Sequence, residues 1–84
     1  MEARQNIRAF VKDLLANKGE SAEFGDADSL LLSGRLQSID AVEIALFLER
    51  DYAIDFSVLG FDEAQLDSID AIVSLVEQNG GQAS

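Results

Sequence analysis

Residues 38–51 read SIDAVEIALFLERD, the stretch of the chain with the clearest helical rhythm. Its apolar residues recur at spacings of three and four, which predicts a helix with one inward face. The residues expected to face inward are Ile39, Val42, Ala45, Leu46 and Leu48. The residues expected to remain in water are Asp40, Glu43, Glu49 and Arg50.

On the N-terminal side of this helix, residues 18–37 lack helical periodicity and are rich in glycine, serine and aspartate. We expect a loop of about twenty residues, held to the core by Phe24 and Leu30–Leu32, and so long a loop in a small domain is usually functional. Before it, a first helix is predicted near residues 3–16, with a stop at Asn17–Gly19. The inward residues of this helix are Ile7, Phe10, Val11, Leu14 and Leu15.

On the C-terminal side, an apolar connection is expected over Tyr52–Phe61, followed by a short helical turn near Asp62–Leu66. A last helix ends before Gly80, and residues 79–84 are expected to form a frayed tail. Its apolar residues are Ile69, Ile72, Val73 and Val76. Together these segments predict a single all-α domain spanning residues 1–84. We expect a small four-helix bundle, with three main helices, one short helix and a long loop between helices one and two.

The composition excludes most active sites and several classes of partner. The chain has 84 residues without cysteine or histidine, so the usual thiol nucleophile, general base and soft metal ligands are missing. We therefore expect neither an enzyme nor a metal site. Six basic against 16 acidic residues give a net charge of −10. This charge disfavours nucleic acid and favours partner proteins with basic docking patches, although acidity also serves solubility alone.

The lengths and positions of the apolar runs indicate whether the chain could span a membrane or be secreted. The longest of them, Ile44–Leu48, is far shorter than the roughly 18 residues of a membrane span. Near Met1, the charged residues Arg8, Lys12 and Asp13 interrupt the apolar pattern that a secretory leader requires. We therefore expect a cytoplasmic protein with no membrane span.

A near repeat relates LQSIDAV at residues 36–42 to LDSIDAI at residues 66–72. Each copy places a serine, Ser38 or Ser68, at a predicted helix start, where a serine hydroxyl commonly caps the first turn and adds about 1 kcal/mol. Neither serine has Glu or Gln three residues later, so no capping box is expected. The surroundings differ, because Ser38 follows the long loop and opens an acid-edged helix, whereas Ser68 follows a short segment.

Around Ser38 the chain resembles the acyl carrier protein family, which includes the peptidyl and D-alanyl carriers, and the resemblance covers nearly the whole chain. The residues that carry it are GRLQSIDAVEIALFLERDYAIDF, residues 34–56. They are similar to the family's glycine, apolar residue and Asp-Ser-Leu motif, followed by an acid-edged helix, an aromatic residue and a short apolar stretch. Ile39 stands where leucine is usual. Gln37 stands where aspartate is most common, which is consistent with a carrier that has its own transferase preference.

The resemblance implies that Ser38 carries a 4′-phosphopantetheine arm, attached from coenzyme A by a phosphopantetheinyl transferase. The arm would hold acyl intermediates as thioesters in fatty-acid, lipid or polyketide-type biosynthesis. Asp40, Glu43 and Glu49 match the family's recognition acids, which implies partner enzymes that synthesise or transfer acyl groups and dock through basic patches. The protein is then a carrier without catalytic residues of its own, and we expect a monomer.

A calcium site and a non-covalent adaptor are the alternatives to the carrier. A calcium loop beginning at Asp26 fails on spacing, because Leu30 and Leu31 would occupy an oxygen-ligand position and the turn glycine. A non-covalent acidic adaptor, in which helix two binds a basic partner without cargo, stays open. Within the carrier interpretation, one set of residues either lines a groove for the acyl chain or is ordinary core: Ile44, Phe47, Val58, Leu59 and Phe61.

Overall fold

Every regular element in the described part of the chain is a helix. The computed structural model describes residues 2–19, 23–60 and 62–79, and no strand occurs within them. In chain order the elements are α1 (Glu2–Asn17), α2 (Ser38–Tyr52), α3 (Phe56–Leu59), a 3₁₀ helix (Glu63–Leu66) and α4 (Ile69–Asn79). The radius of gyration of 11.8 Å is close to the roughly 12 Å of a compact chain of this length. The prediction of an all-α protein is confirmed, and none of the described helices combines the length and apolarity that a membrane crossing requires.

The boundaries of the predicted helices agree closely with the structure. α1 extends one residue beyond its prediction at each end, and α2 extends one residue further at its C-terminus. The 3₁₀ helix lies within the predicted turn, where the Asp62 carboxylate accepts a hydrogen bond from the Ala64 amide at 3.0 Å. α4 continues through Asn79, and residues 80–84 of the predicted frayed tail lie outside the described residues.

The expectation of a plain connection between Tyr52 and Phe61 was wrong, because this segment contains the single turn of α3. The Asp55 carboxylate starts α3 by accepting the Ser57 amide at 3.0 Å. Gly60 ends it, since its amide donates to the Phe56 carbonyl at 2.9 Å and its φ of 85° suits glycine. Aspartate before such a turn and glycine after it are ordinary helix signals, which the apolar character of the segment concealed.

The core lies where α1, α2, the 3₁₀ helix and α4 bring their apolar faces together. Of the predicted inward residues of α1, all but Phe10 are buried. Phe10 is half-buried and stacks face to face on Phe47 of α2, with ring centroids 4.3 Å apart. The predicted inward residues of α4 are all buried: Ile69, Ile72, Val73 and Val76.

The face that α2 presents to the core overlaps only partly with the predicted one, because Ala45 and Leu48 are buried as expected. Its buried residues are Asp40, Ala41, Ile44, Ala45, Phe47, Leu48 and Tyr52. Ile39, Val42 and Leu46, expected to face inward, are instead 61%, 43% and 57% exposed, and we call them the outer stripe. Both sets follow helical spacing, so periodicity alone did not separate them. The buried set extends along the whole helix, and its alanines allow neighbouring elements to approach closely.

Candidate functional site

The start of α2 is set by Gln37 rather than by Ser38. Gln37 is extended, with φ of −112° and ψ of 175°, and its carbonyl accepts the amides of Asp40 at 2.9 Å and Ala41 at 3.1 Å. Ser38 is therefore the first residue inside the helix, and it is exposed. Within the described part of the chain, the Ser38 hydroxyl makes no hydrogen bond. The interpretation of Ser38 as an N-cap is thus wrong, and its hydroxyl has no structural task there.

Ser68, the serine of the second copy of the repeat, has the capping role. Its Oγ accepts a hydrogen bond from the Ala71 amide at 3.1 Å, and its carbonyl accepts the Ile72 amide at 3.0 Å. It is half-buried at the start of α4. The interpretation of Ser68 as a structural cap is confirmed.

Asp40 was expected to stay in water and to bind partners, and the expectation of exposure was wrong. The residue is 5% exposed. Its Oδ2 atom accepts the Gln37 amide at 2.9 Å and pairs with the Lys18 ammonium at 3.1 Å. Burial of a carboxylate is favourable only when it is paired in this way. Asp40 is thus committed to internal contacts and is not displayed as a docking acid.

Glu43 and Glu49 are exposed on α2, as predicted. At about 100° per residue, they lie about 120° apart around the helix axis and flank the outer stripe on opposite sides. Glu43 and Glu49 therefore do not share one side of α2. The outer stripe has Glu43 on one side, Glu49 on the other and Arg50 near its far end.

Of the residues expected either to line an acyl groove or to form ordinary core, the structure describes the side chains of Ile44 and Phe47. Ile44 is fully buried, and Phe47 is buried beneath its stack with Phe10. A shallow surface groove of about 190 Å³ opens beside this stack, between α1 and α2. Its lining residues are Phe10, Glu43, Leu46, Phe47 and Arg50. The other predicted groove residues, or their side chains, lie outside the described residues: Val58, Leu59 and Phe61.

Asp67 anchors the loop that leads into Ser38. Its carboxylate accepts the amides of Leu31 and Leu32, both at 2.8 Å, and its carbonyl accepts the Leu30 amide at 2.7 Å. Partial burial raises the pKa of the Asp67 carboxyl, but the hydrogen bonds from the Leu32 amide and its loop neighbours outweigh this effect and lower the pKa overall. Leu30 and Leu31 are buried as expected, whereas Leu32 is 75% exposed.

A second anchor joins the loop to α1 and α4. The Asp26 carboxylate pairs with Arg4 at 2.7 Å and with Arg8, and Arg4 also pairs with Asp70 at 2.7 Å. Arg8 lies over the ring of Phe24, 4.7 Å from its centroid. The hydrogen bonds from Arg4 and Arg8 lower the pKa of the Asp26 carboxyl against the opposing effect of desolvation. The described residues contain no group of three or more acids that could hold a metal ion.

The structural roles of three residues that build the site were not predicted from the sequence: Gln37, Lys18 and Asp67. An acid three residues after Gln37 was a usable signal, because a carboxylate at that position can accept the cap amide as glutamate does. No local pattern marks Asp67 as a residue that binds the loop. The contribution of Lys18 depends on the end of α1 approaching the start of α2, which no local pattern encodes.

Similarity to other proteins does not assign a function to this chain. No family model matches it, and no curated protein or solved structure matches it either. The function is therefore inferred from the exposed position of Ser38 at a helix start, the exposed surface of α2 and the anchored loop before it.

Proposed function

We propose that this chain is an acyl carrier protein, which holds acyl intermediates as thioesters on a 4′-phosphopantetheine arm attached to Ser38, in fatty-acid, lipid or polyketide-type biosynthesis. The observation that carries the proposal is the contrast between the two serines of the repeat. Ser68 uses its hydroxyl as a cap, whereas Ser38 is exposed at a helix start with a hydroxyl that is unbonded within the described residues. The resemblance of residues 34–56 to the carrier family supports the same residue.

The start of α2 fits the chemical needs of such an arm. The positive end of a 15-residue helix favours the negative charge of a phosphodiester on its first residue. Exposure of Ser38 leaves room for the transferase and for the arm. When bound, the cofactor supplies the thiol that carries the acyl group. A chain without cysteine or histidine is therefore compatible with this function.

The proposal includes the carrier arrangement of the fold. In it, α1, α2 and α4 are the main helices of a four-helix bundle, and a long loop joins α1 to α2. Anchoring of that loop by Asp67 and Asp26 supports this arrangement, because it fixes the chain just before the attachment residue. We assign the protein as a cytoplasmic monomer, as suits a carrier that visits several enzymes.

We place the docking surface for partner enzymes on the exposed side of α2. The phosphopantetheinyl transferase and the enzymes that synthesise or transfer acyl groups would meet Glu43 and Glu49 with basic side chains. Such exposed charges act mainly on encounter rate and orientation, and they weaken as salt is raised. The outer stripe between these acids supplies apolar area for the same contact.

Arm attachment tests the proposal directly. Apo protein incubated with coenzyme A and a phosphopantetheinyl transferase is expected to gain the mass of one arm, measured by intact-protein mass spectrometry. Ser38→Ala is expected to abolish the gain, whereas Ser68→Ala, the matched variant in the second copy, is expected to retain it. The opposite pattern, or arm attachment to both variants, would assign the cofactor to another residue.

A non-covalent adaptor is the second candidate, and the outer stripe is the observation that favours it. Three exposed apolar residues between two acids also suit an interaction that needs no cargo. The intact mass of protein from its native host separates the two functions, because only the carrier would hold an arm and an acyl group.

A further inference from the structure

The acid at the third position of α2 is oriented away from the surface on which partners would dock. Asp40 is 5% exposed, while Glu43 and Glu49 are exposed on the same helix. A basic partner residue that gripped the Asp40 carboxylate would have to displace the Lys18 ammonium, which lies 3.1 Å away. The buried Asp40 carboxylate, paired with Lys18, therefore has a different task from the exposed acids.

The contacts of Asp40 converge on the residue that precedes Ser38. The Gln37 amide donates to Oδ2 of Asp40 at 2.9 Å, so the carboxylate closes the first turn back onto the cap residue. The same oxygen accepts the ammonium of Lys18, whose own backbone amide donates to the Leu15 carbonyl at 3.1 Å at the end of α1. Through these bonds, Gln37 before Ser38 and Asp40 after it are both connected to the C-terminal end of α1.

We propose that Asp40 and Lys18 are positioning residues for the Ser38 hydroxyl. This role rests on the proposed function and deepens it. The pair fixes Gln37 and the first turn of α2, and thereby sets the direction in which Ser38 presents its hydroxyl to the transferase. Neither residue contacts the incoming phosphopantetheine. Holding a reacting group in a productive orientation acts on the rate of the bound complex, whereas exposed docking acids act on its formation.

The test measures kcat and KM for arm attachment, with coenzyme A and a phosphopantetheinyl transferase, on the full chain. Asp40→Asn and Lys18→Met are each expected to lower kcat by about three- to tenfold, with KM within about twofold, because a loosened first turn misplaces the hydroxyl. Asp40→Glu is expected to restore most of kcat, since glutamate at this position also accepts the cap amide. Lys18→Met keeps the aliphatic stem and serves as the variant that leaves the buried position intact.

Two further variants separate positioning from docking and from general effects of charge. Glu77→Gln removes an exposed acid of α4, away from both loop anchors, and it is expected to leave both constants unchanged. Glu43→Gln removes an exposed docking acid and is expected to raise KM with little change in kcat. The amide resonance of Gln37 in nuclear magnetic resonance spectra is expected to move in the Asp40 variant and to stay in place in the Glu77 variant.

The outcomes distinguish this role from the carrier function. Wild-type protein that gains no arm would overturn the proposed function and the positioning role together. Normal arm attachment with unchanged kcat in both Asp40→Asn and Lys18→Met would overturn the positioning role alone. A rise in KM without loss of kcat in Asp40→Asn would also overturn it, because Asp40 would then act in docking.

Discussion

LQSIDAV and LDSIDAI differ only in Gln37 against Asp67 and Val42 against Ile72, yet their shared residues have different roles. In the first copy the helix starts at Ser38, the serine is exposed and the aspartate, Asp40, is buried. In the second copy the helix starts one position later, the serine caps it and the aspartate is exposed.

The residue before the serine explains much of this difference. The Asp67 carboxylate accepts hydrogen bonds from the loop amides of Leu31 and Leu32. Ser68, rather than Asp67, therefore caps the start of α4. Gln37 has no such loop contact among the described residues, and its backbone takes the cap position itself. The comparison teaches that identical local sequence permits two helix starts, and that contacts distant in sequence select between them.

The largest expected effect on stability comes from removing the contact between Asp67 and the loop. Asp67→Ala removes a charged acceptor from two amides, and hydrogen bonds to charged groups make the expected loss about 2 kcal/mol of unfolding free energy. Gln37→Ala, at the matched position, is expected to change it by less than about 0.5 kcal/mol. Urea unfolding followed by circular dichroism measures both. Equal losses in the two variants would mean that the residue before the serine does not distinguish the copies.

A smaller effect is expected from the serines themselves. Ser68→Ala removes a cap and is expected to cost about 1 kcal/mol, a typical value for this loss. Ser38→Ala is expected to change stability by less than about 0.5 kcal/mol, since its hydroxyl makes no hydrogen bond within the described residues. The same urea experiment on unmodified protein compares them. A larger loss in Ser38→Ala would show that its hydroxyl has a structural partner.

The smallest expected effect is the change with pH in the contribution of Asp67 to stability. The pKa of the Asp67 carboxyl is lowered in the folded protein, so its contribution is present above the unfolded pKa of about 4 and is lost as pH falls through the folded value. Asp67→Asn is therefore expected to be less stable than wild type at pH 7, with part of that difference disappearing towards pH 3. Unfolding curves collected across this range test the sign. A difference that grows in acid would contradict it.

Much of the fold could be predicted from the sequence, because apolar residues recur at helical spacing along each main helix. The boundaries of α1 and α4 follow from that periodicity and from glycine-containing stops, whereas α2 ends before Ala53, whose φ of 57° is left-handed. The orientation of α2 did not follow, because Ile39, Val42 and Leu46 have the same spacing as the residues that are buried. Packing against the rest of the core, rather than the pattern in α2, selected between two possible faces.

The candidate site was accessible to a similar degree. The position of Ser38 at a helix start follows from the sequence, and so does the exposure of Glu43 and Glu49. The burial of Asp40 did not follow, because it requires an ammonium from the end of α1. Contacts across the fold of this kind leave no trace in the spacing of residues along one helix.

Tyr52 gives the molecule a built-in optical reporter. It is the sole tyrosine of a chain without tryptophan, so the intrinsic near-ultraviolet emission comes from one known place. Its hydroxyl accepts a hydrogen bond from the Asn6 side chain at 3.2 Å, and its ring meets Phe47 edge-on, with centroids 5.9 Å apart. It lies at the opposite end of α2 from Ser38, about 21 Å along the axis at 1.5 Å per residue. Its emission therefore follows the seam between α1 and α2 without any attached dye, at a distance from chemical events at Ser38.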